Sequence, residues 1–147
     1  MLTDSGRAVH AVWGNDFPVS RFGQGAFRAA FENVWTQTTG LPLECTVFGK
    51  PEGLTYEYAA EMLRSQFSNP DESKRAQVYM IGDNPESDIR GGRDFGWKTA
   101  LVRTGVYRDA QGKPKYEPTM LVDDVEAAVK QAIEIEWGPG AADDGGN

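Results

Sequence analysis

The feature that most constrains this chain is the stretch Val78–Ile89, where a short apolar run leads directly into helix-start residues. The run ends in Gly82-Asp83, and Asn84-Pro85 follows at once. Glycine lets the backbone turn there, asparagine is a favoured N-cap, and proline is a favoured first helical residue. The run shows no strict alternation of polar and apolar residues, which is typical of a strand buried on both faces. The stretch therefore predicts a buried strand that ends at Asp83 and is followed by a helix.

The rest of the chain alternates between strand-like and helix-like patterns. We predict strands at Leu43–Phe48, Gln77–Ile81, Lys98–Val102 and Thr119–Val122, and helices at Gly25–Gln37, Thr55–Phe67, Pro85–Phe95 and Asp124–Glu136. This alternation predicts an α/β fold in which a parallel sheet lies between layers of helices, with right-handed crossovers. Asp123 is predicted to be the N-cap of the last helix, with Glu126 completing a capping box.

Three of these helices carry apolar stripes that we expect to be buried. The residues are Phe27, Ala30, Phe31, Val34 and Trp35 in the first helix, Tyr58, Ala59, Met62, Leu63 and Phe67 in the second, and Val125, Val129, Ala132 and Ile133 in the last. Between the last two strands, residues 105–118 are rich in glycine and proline and are predicted to form an exposed loop.

These patterns divide the chain into three parts. Residues 1–24 are poorly patterned and are predicted to be an irregular segment. Residues 25–137 contain the alternating helices and strands and are predicted to be an α/β half-core. Residues 138–147 form a tail of small and acidic residues with little to bury, so we predict that they are disordered.

Composition excludes several classes of protein. The net charge of −7 argues against a nucleic-acid partner, which needs a basic face, and provides no basic patch for anionic lipid. No apolar run has the length of a membrane span, and the first residues lack the apolar core of a signal peptide. Cys45 is the only cysteine, so no intrachain disulfide forms and an intracellular, reducing compartment is favoured. We interpret Cys45 as a small strand residue rather than a nucleophile.

Asp83 and Asp88 are candidate metal ligands. Ligands of open α/β sheets bind beyond the carboxyl ends of the strands, where Asp83 is predicted to lie, and Asp88 can turn back from the first helical turn. The turn formed by Gly82 and Asn84 places helix N–H groups where they suit an anion. Two carboxylates beside an anion site suit Mg²⁺. The sequence leaves open the alternative that Asn84 and Pro85 only cap a helix whose positive end favours the aspartates.

Lys50 is the candidate catalytic residue. It follows a predicted strand and directly precedes Pro51, which biases its backbone toward an extended form. A lysine in this place can reach a phosphoryl oxygen and stabilise its charge. Taken alone, Lys50 is better explained as a solvated loop lysine. Its combination with Gly82-Asp83 across an intervening helix is far more specific than either motif by itself.

These residues carry a resemblance to a known family. Gly49-Lys50-Pro51 and the stretch Gly82–Ile89 resemble the third and fourth motifs of the haloacid dehalogenase (HAD) superfamily, subgroup IIA, which includes nucleotide- and sugar-phosphate phosphatases. The stretches Trp13–Pro18 and Arg21–Arg28 are similar to the cat eye syndrome critical region protein family, which is HAD-like. The resemblance extends over Trp13–Ile135 and corresponds to the C-terminal half of a HAD protein.

The resemblance implies a Rossmann-type three-layer sandwich and Mg²⁺-dependent hydrolysis of a small phosphate ester. It implies that Asp83 is a Mg²⁺ ligand, that Asp88 supports the metal directly or through water, and that Lys50 stabilises the phosphoryl group and the attacking aspartate. In the family, that attacker is the first residue of an Asp-x-Asp motif on the central strand, and it forms an aspartyl-phosphate. The second aspartate of that motif is the general acid and base. The resemblance also suggests a mitochondrial location, with the cytoplasm as the alternative.

The 147 residues contain no Asp-x-Asp motif, and no part of them corresponds to the family's cap domain. Asp123 and Asp124 follow a predicted strand, but helix capping explains them better. We therefore predict a truncated HAD-like hydrolase with a partial parallel sheet that lacks the nucleophile strand, and no phosphatase activity from the chain alone. The alternative is a non-catalytic binding or regulatory module on the same scaffold. An exposed sheet edge at Gln77–Ile81 predicts marginal stability or self-association.

Overall fold

The computed structural model describes residues 10–12, 20–69, 71 and 76–141. The chain divides into two compact units, Met1–Phe48 and Gly49–Asn147. The helix predicted from Gly25 therefore belongs with the N-terminal unit and not with the half-core to which the sequence pattern assigned it. Of the tail predicted to be disordered, residues 142–147 lie outside the described residues.

The N-terminal unit contains two short strands and one helix. Strand β1 (His10–Val12) pairs antiparallel with β2 (Ser20–Phe22), and α1 (Gln24–Thr39) follows. The prediction of an irregular segment is wrong for these two strands, and most of the rest of residues 1–24 lies outside the described part. Helix α1 begins and ends within two residues of the predicted bounds. It ends at Gly40, whose φ of 72° places it in the left-handed region that favours glycine.

The apolar stripe of α1 is exposed. Phe27 is 76% exposed and Phe31 is 52% exposed, and none of the residues of α1 is buried. The prediction that this stripe is buried is therefore wrong. Periodicity identifies the residues that share one face of a helix, but it carries no information about what covers that face.

Residues 42–48 form no strand, so the prediction of a strand at Leu43–Phe48 is wrong. A strand needs a hydrogen-bonded neighbour, and within the described ranges no segment pairs with these residues. Phe48 is 73% exposed, and Cys45 is exposed as a free thiol rather than packed within a strand.

A parallel sheet forms the centre of the second unit. Its strands are β3 (Tyr79–Gly82), β4 (Lys98–Val102) and β5 (Met120–Val122), in the order β3-β4-β5. All pairing is parallel, which confirms the predicted α/β class. Strand β4 has neighbours on both sides and is the most buried, whereas β3 has β4 on one side and no strand of the described residues on the other.

Helices and a long loop surround this sheet. They are α2 (Gly53–Ser65), a π-helical turn (Pro85–Ile89) that continues into α3 (Arg90–Asp94), the β4–β5 loop (residues 103–119) with a 3₁₀ turn at Asp109–Gln111, and α4 (Val125–Trp137). The bounds of these helices lie within two residues of the predicted ones. Of the helices described, none combines the length and apolar character required to span a bilayer.

The last helix is capped one residue later than predicted. Asp124 is the N-cap, and its side chain accepts a 2.9 Å hydrogen bond from the Ala127 N–H. The predicted capping box of Asp123 and Glu126 is therefore wrong. Asp123 instead pairs with the Arg103 guanidinium at 3.1 Å, directly beyond the sheet.

Alternate residues of β4 pack on opposite faces of the sheet. Ala100 and Val102 pack in a cluster that includes Ala128 of α4. Leu101 points to the other face, where it packs with Ile89 of the π-helical turn and Tyr107 of the β4–β5 loop. The sheet is thus covered on both faces, as expected for three layers.

The buried residues of α2 and α4 differ from those predicted. In α2, Tyr56 and Ala60 are buried, whereas Tyr58 is 69% exposed. In α4, Ala128 is buried and Val125 is 58% exposed. In α2 the buried Tyr56 packs against Phe95 and Trp97, whereas in α4 Ala132 of the predicted stripe does pack against the core beside Ala128.

Candidate functional site

The predicted site residues gather at the carboxyl end of β3. Gly82 is the last residue of β3, Asp83 and Asn84 follow, and Asp88 lies in the π-helical turn. The Asn84 side chain accepts a 2.9 Å hydrogen bond from the Glu86 N–H, which confirms the predicted helix cap. The Asn84 N–H donates to Asp88, so neither of these two N–H groups is free for the anion that the sequence suggested.

Asp88 is the buried centre of this end of the sheet, with 2% of its surface exposed. One carboxylate oxygen, Oδ1, lies 2.6 Å from Lys50 Nζ and accepts a 3.3 Å hydrogen bond from Ser87 Oγ. The other, Oδ2, accepts a 3.0 Å hydrogen bond from the Asn84 N–H. A buried carboxylate is stable only when it is paired in this way. A Cβ on Gly82 would overlap the Asp88 carboxylate, so glycine is required for this close approach.

The π-helical turn explains how Asp88 reaches back to Asn84. Both the Asp88 and Ile89 N–H groups donate to the Asn84 carbonyl, at 2.9 and 3.4 Å. A turn of this kind is rare, and where it occurs it often lies at a functional site. It directs the Asp88 side chain toward the strand end instead of along the helix surface.

Lys50 lies at the same end of the sheet as the aspartates. Its side chain is 48% exposed, and its ammonium group makes the ion pair with Asp88. The interpretation of Lys50 as a purely solvated lysine is therefore wrong. Because Lys50 belongs to the segment before α2 and Asp88 to the turn after β3, this contact brings together two motifs that are far apart in sequence.

Asp83 is held by the β4–β5 loop. Its Oδ2 accepts a 2.6 Å hydrogen bond from the Val106 N–H, and its backbone carbonyl accepts one of 3.1 Å from the Tyr107 N–H. The sequence predicted an exposed loop here, but Tyr107 is only 4% exposed. The one local signal for this contact in the sequence is Gly105.

Tyr56 is a second residue that the sequence analysis missed. Its hydroxyl donates a 3.1 Å hydrogen bond to the carbonyl of Ser87, the residue before Asp88. Its ring packs against Phe95 and Trp97, with centroid distances of 5.8 and 5.4 Å. Burial, together with the negative charges of Asp88 and Asp94, raises the pKa of the Tyr56 hydroxyl to about 12. Tyr56 thus anchors the π-helical turn to α2.

We expect the free energy of unfolding to fall as the pH rises through the alkaline range, because of Tyr56. Because its pKa is raised on folding, the unfolded chain loses the Tyr56 proton first, near pH 10. This contribution to stability is therefore complete below pH 10 and is lost as the pH rises toward 12. The variant Tyr56→Phe is expected to lose about 1 kcal/mol at neutral pH and to show a flatter decline between these two values.

Urea unfolding at a series of pH values measures this effect. Tyr58→Phe is the matched control, because Tyr58 lies on the same helix and is 69% exposed. The control should keep the pH dependence of the unaltered chain. If the free energy of unfolding depends on pH in the same way for all three proteins, the role assigned to Tyr56 is wrong.

The donor atoms at this site suit a hard divalent cation. Mg²⁺ is commonly held by one or two carboxylates, with phosphate oxygens and water completing the shell. Among the residues that the structure describes, no group of three or more histidine, cysteine or acidic side chains forms a closed metal cage. Both oxygens of Asp88 already have partners, whereas Asp83 Oδ1 receives no hydrogen bond from the described residues. The residues present therefore fit Mg²⁺, with Asp83 Oδ1 as the carboxylate oxygen that has no hydrogen-bond partner among the described residues.

The family model and the similar proteins indicate the same family. Residues 47–128 match the HAD-hydrolase-like family model. A cardiolipin synthase (CMP-forming)/mitochondrial hydrolase fusion protein of Schizosaccharomyces pombe is 40% identical over 127 residues, covering 83% of this chain and 20% of that protein. A mitochondrial hydrolase of Saccharomyces cerevisiae is 35% identical over 142 residues, covering 84% of this chain and 40% of the relative.

The fold is also shared with a solved structure. A possible sugar phosphatase of the HAD superfamily from Cytophaga hutchinsonii superimposes with a TM-score of 0.53 at 29% identity, covering 73% of this chain and 36% of that one. The chain thus spans between a fifth and two fifths of the length of the proteins it matches.

Proposed function

Because this chain belongs to the HAD-hydrolase-like family, we propose that it supplies the lysine and metal-binding half of a Mg²⁺-dependent phosphatase site. The predicted membership of the HAD superfamily is confirmed by the family model and by the relatives. The observation that supports the proposal most directly is the 2.6 Å ion pair between Lys50 and Asp88 at the carboxyl end of β3, next to Asp83.

Each residue has a defined part in this proposal. Asp83 holds Mg²⁺ through the oxygen that is free of hydrogen bonds, and Asp88 orients Lys50 beside it. The Lys50 ammonium group, half-exposed, is available to a phosphoryl oxygen at the edge of the sheet. Gly82 leaves room for the Asp88 carboxylate, and Asn84 fixes the turn. Mg²⁺, when bound, supplies positive charge that polarises a phosphoryl oxygen.

The relatives support a proposal for the substrate class and the location. We propose a small phosphorylated substrate, because the Cytophaga protein is a possible sugar phosphatase. We propose the mitochondrion as the location, because both fungal relatives are named as mitochondrial hydrolases.

Mg²⁺ binding tests this proposal. Calorimetry is expected to detect binding in the millimolar range or tighter, and Asp83→Asn is expected to abolish it. Asp94→Asn is the matched control, because Asp94 is an exposed aspartate of the adjacent α3. Binding that survives in Asp83→Asn contradicts the proposal. Absence of Mg²⁺ binding in the unaltered chain supports the alternative, a non-catalytic module on the same scaffold, which the missing Asp-x-Asp motif also favours.

We expect these 147 residues to hydrolyse no phosphate ester by themselves. The sequence contains no Asp-x-Asp motif to supply the attacking carboxylate and the general acid. An assay with an aryl phosphate and Mg²⁺ should therefore give the same rate for the chain and for Asp83→Ala. Turnover that disappears in Asp83→Ala would show that this chain already contains a nucleophile.

We also expect the isolated chain to self-associate through β3. Within the described residues this strand is paired on one side only, and its residues Tyr79–Gly82 are all partly exposed. An edge strand with unpaired N–H and C=O groups recruits further strands. Light scattering over a concentration series is expected to show a mass that rises with concentration. A concentration-independent monomer with a cooperative melt would contradict this.

A further inference from the structure

We infer that the segment Gly105–Tyr107 positions Asp83 by holding Oδ2, which leaves Oδ1 as the atom that would bind the cation. This inference rests on the proposed function, because it concerns the residue that would hold Mg²⁺. It assigns a role in that site to the β4–β5 loop, which the motifs of the sequence did not include.

Two consecutive N–H groups of the loop hold Asp83. The Val106 N–H donates to the side-chain Oδ2 at 2.6 Å, and the Tyr107 N–H donates to the backbone carbonyl at 3.1 Å. The first bond has a carboxylate as acceptor, and charge-assisted bonds of this kind are short and strong. Together they define both the position of the Asp83 backbone and the rotation of its carboxylate.

Gly105 makes this approach possible. A Cβ added to Gly105 would overlap the Asp83 side chain at its β-carbon and carboxylate. The contact is therefore between the backbone of the loop and the aspartate itself, with no space for a side chain between them. By contrast, a Cβ on Gly53 would meet open space, and neither glycine has a positive φ.

The loop is itself anchored at two places. The Tyr107 ring packs with Ile89 and Leu101, and its hydroxyl donates a 3.1 Å hydrogen bond to the Gly112 carbonyl. Arg103, at the start of the loop, pairs with Asp109 at 2.9 Å and with Asp123 at 3.1 Å. Because Arg103 and Tyr107 tie the first part of the loop to the sheet and to the 3₁₀ turn, the loop can hold Asp83 in one orientation.

The two carboxylate oxygens of Asp83 therefore have different roles. Oδ2 accepts the loop hydrogen bond, so Oδ1 is the atom left for a cation. Groups that orient a metal ligand in this way typically contribute about 10- to 100-fold to metal affinity. We therefore expect Gly105 to influence Mg²⁺ binding although its own atoms contact no metal.

The first test is Gly105→Ala. Its added methyl group must displace the Asp83 carboxylate, and calorimetry is expected to show Mg²⁺ affinity reduced about tenfold or more. Gly53→Ala is the matched control, and its affinity should equal that of the unaltered chain. If Asp83→Asn abolishes binding but Gly105→Ala binds normally, the positioning role is wrong and the proposed function stands. If Asp83→Asn keeps its affinity, the proposed function itself is wrong.

A second measurement serves if Gly105→Ala does not fold. The Val106 amide proton should resonate downfield in the unaltered chain, because its acceptor is a carboxylate. In Asp83→Asn, where the acceptor is neutral, this resonance is expected to move upfield, whereas Asp94→Asn should leave it unchanged. A Val106 amide signal that is the same in all three proteins would overturn the inference. A general loss of stability would not shift this one resonance in Asp83→Asn alone.

Discussion

Replacing Lys50 by methionine is expected to lower the free energy of unfolding by about 2 kcal/mol. The ammonium group of Lys50 lies 2.6 Å from Asp88 Oδ1, and the Asp88 side chain is only 3% exposed. Removing one partner of a buried pair leaves an uncompensated charge, which typically costs about 3–5 kcal/mol. Because Lys50 itself is 48% exposed, water can replace part of its charge, and we expect a smaller loss. Urea unfolding at neutral pH measures it.

Two further variants identify the cause. Lys115→Met removes a lysine whose partner Glu86 is 3.9 Å away, in a pair whose side chains are 65% and 34% exposed, and it should change stability by less than about 0.5 kcal/mol. The double variant Lys50→Met with Asp88→Asn removes both charges and should recover part of the loss. If Lys50→Met costs no more than Lys115→Met, the pair is not a structural part of the site.

The strand end was predictable because its signals are local. An apolar run, a glycine, and an N-cap followed by proline define β3 and the turn within a few residues, and the observed elements agree within two residues of each bound. The placement of Lys50 was less secure, because the strand predicted before it at Leu43–Phe48 does not form. Its position near the end of β3 was indicated by the combination of Gly49-Lys50-Pro51 with Gly82-Asp83 across a helix, and the structure shows the contact with Asp88.

The contacts of Asp83 were not predictable in the same way. Its partners are the N–H groups of Val106 and Tyr107, and every residue except proline has such a group. No residue type at those positions announces the contact. Only the close approach required at Gly105 leaves a trace in the sequence, and glycine is common in loops for other reasons.

Helix faces were predicted with less success than helix bounds. In α2, the predicted apolar stripe includes Tyr58, which is 69% exposed. Tyr56 lies outside that stripe and is only 2% exposed. The contact depends on Gly91, whose missing side chain leaves space for the Tyr56 ring. Such complementarity between two segments is a tertiary property, and periodicity within one helix cannot reveal it.

The largest loss of stability is expected from Ile89→Ala. Ile89 is fully buried, and its side chain packs against Leu101 of the central strand and Tyr107 of the β4–β5 loop. Replacing a buried isoleucine by alanine removes apolar contacts and leaves a cavity, at a cost of about 2–5 kcal/mol. A small domain has a total stability of only about 5–15 kcal/mol, so this variant should unfold at a much lower urea concentration.

The same side chain links the two parts of the candidate site. Ile89 directly follows Asp88, and its partner Tyr107 directly follows Val106, which holds Asp83. Loss of Ile89 should therefore loosen both aspartates, and Ile89→Val, with an expected cost of about 1 kcal/mol, allows Mg²⁺ affinity to be measured in a folded variant. Ile135→Ala is the control, because Ile135 is 49% exposed on α4, and it should cost less than about 1 kcal/mol. Similar losses for Ile89→Ala and Ile135→Ala would mean that the packing of the π-helical turn against the sheet does not stabilise this fold.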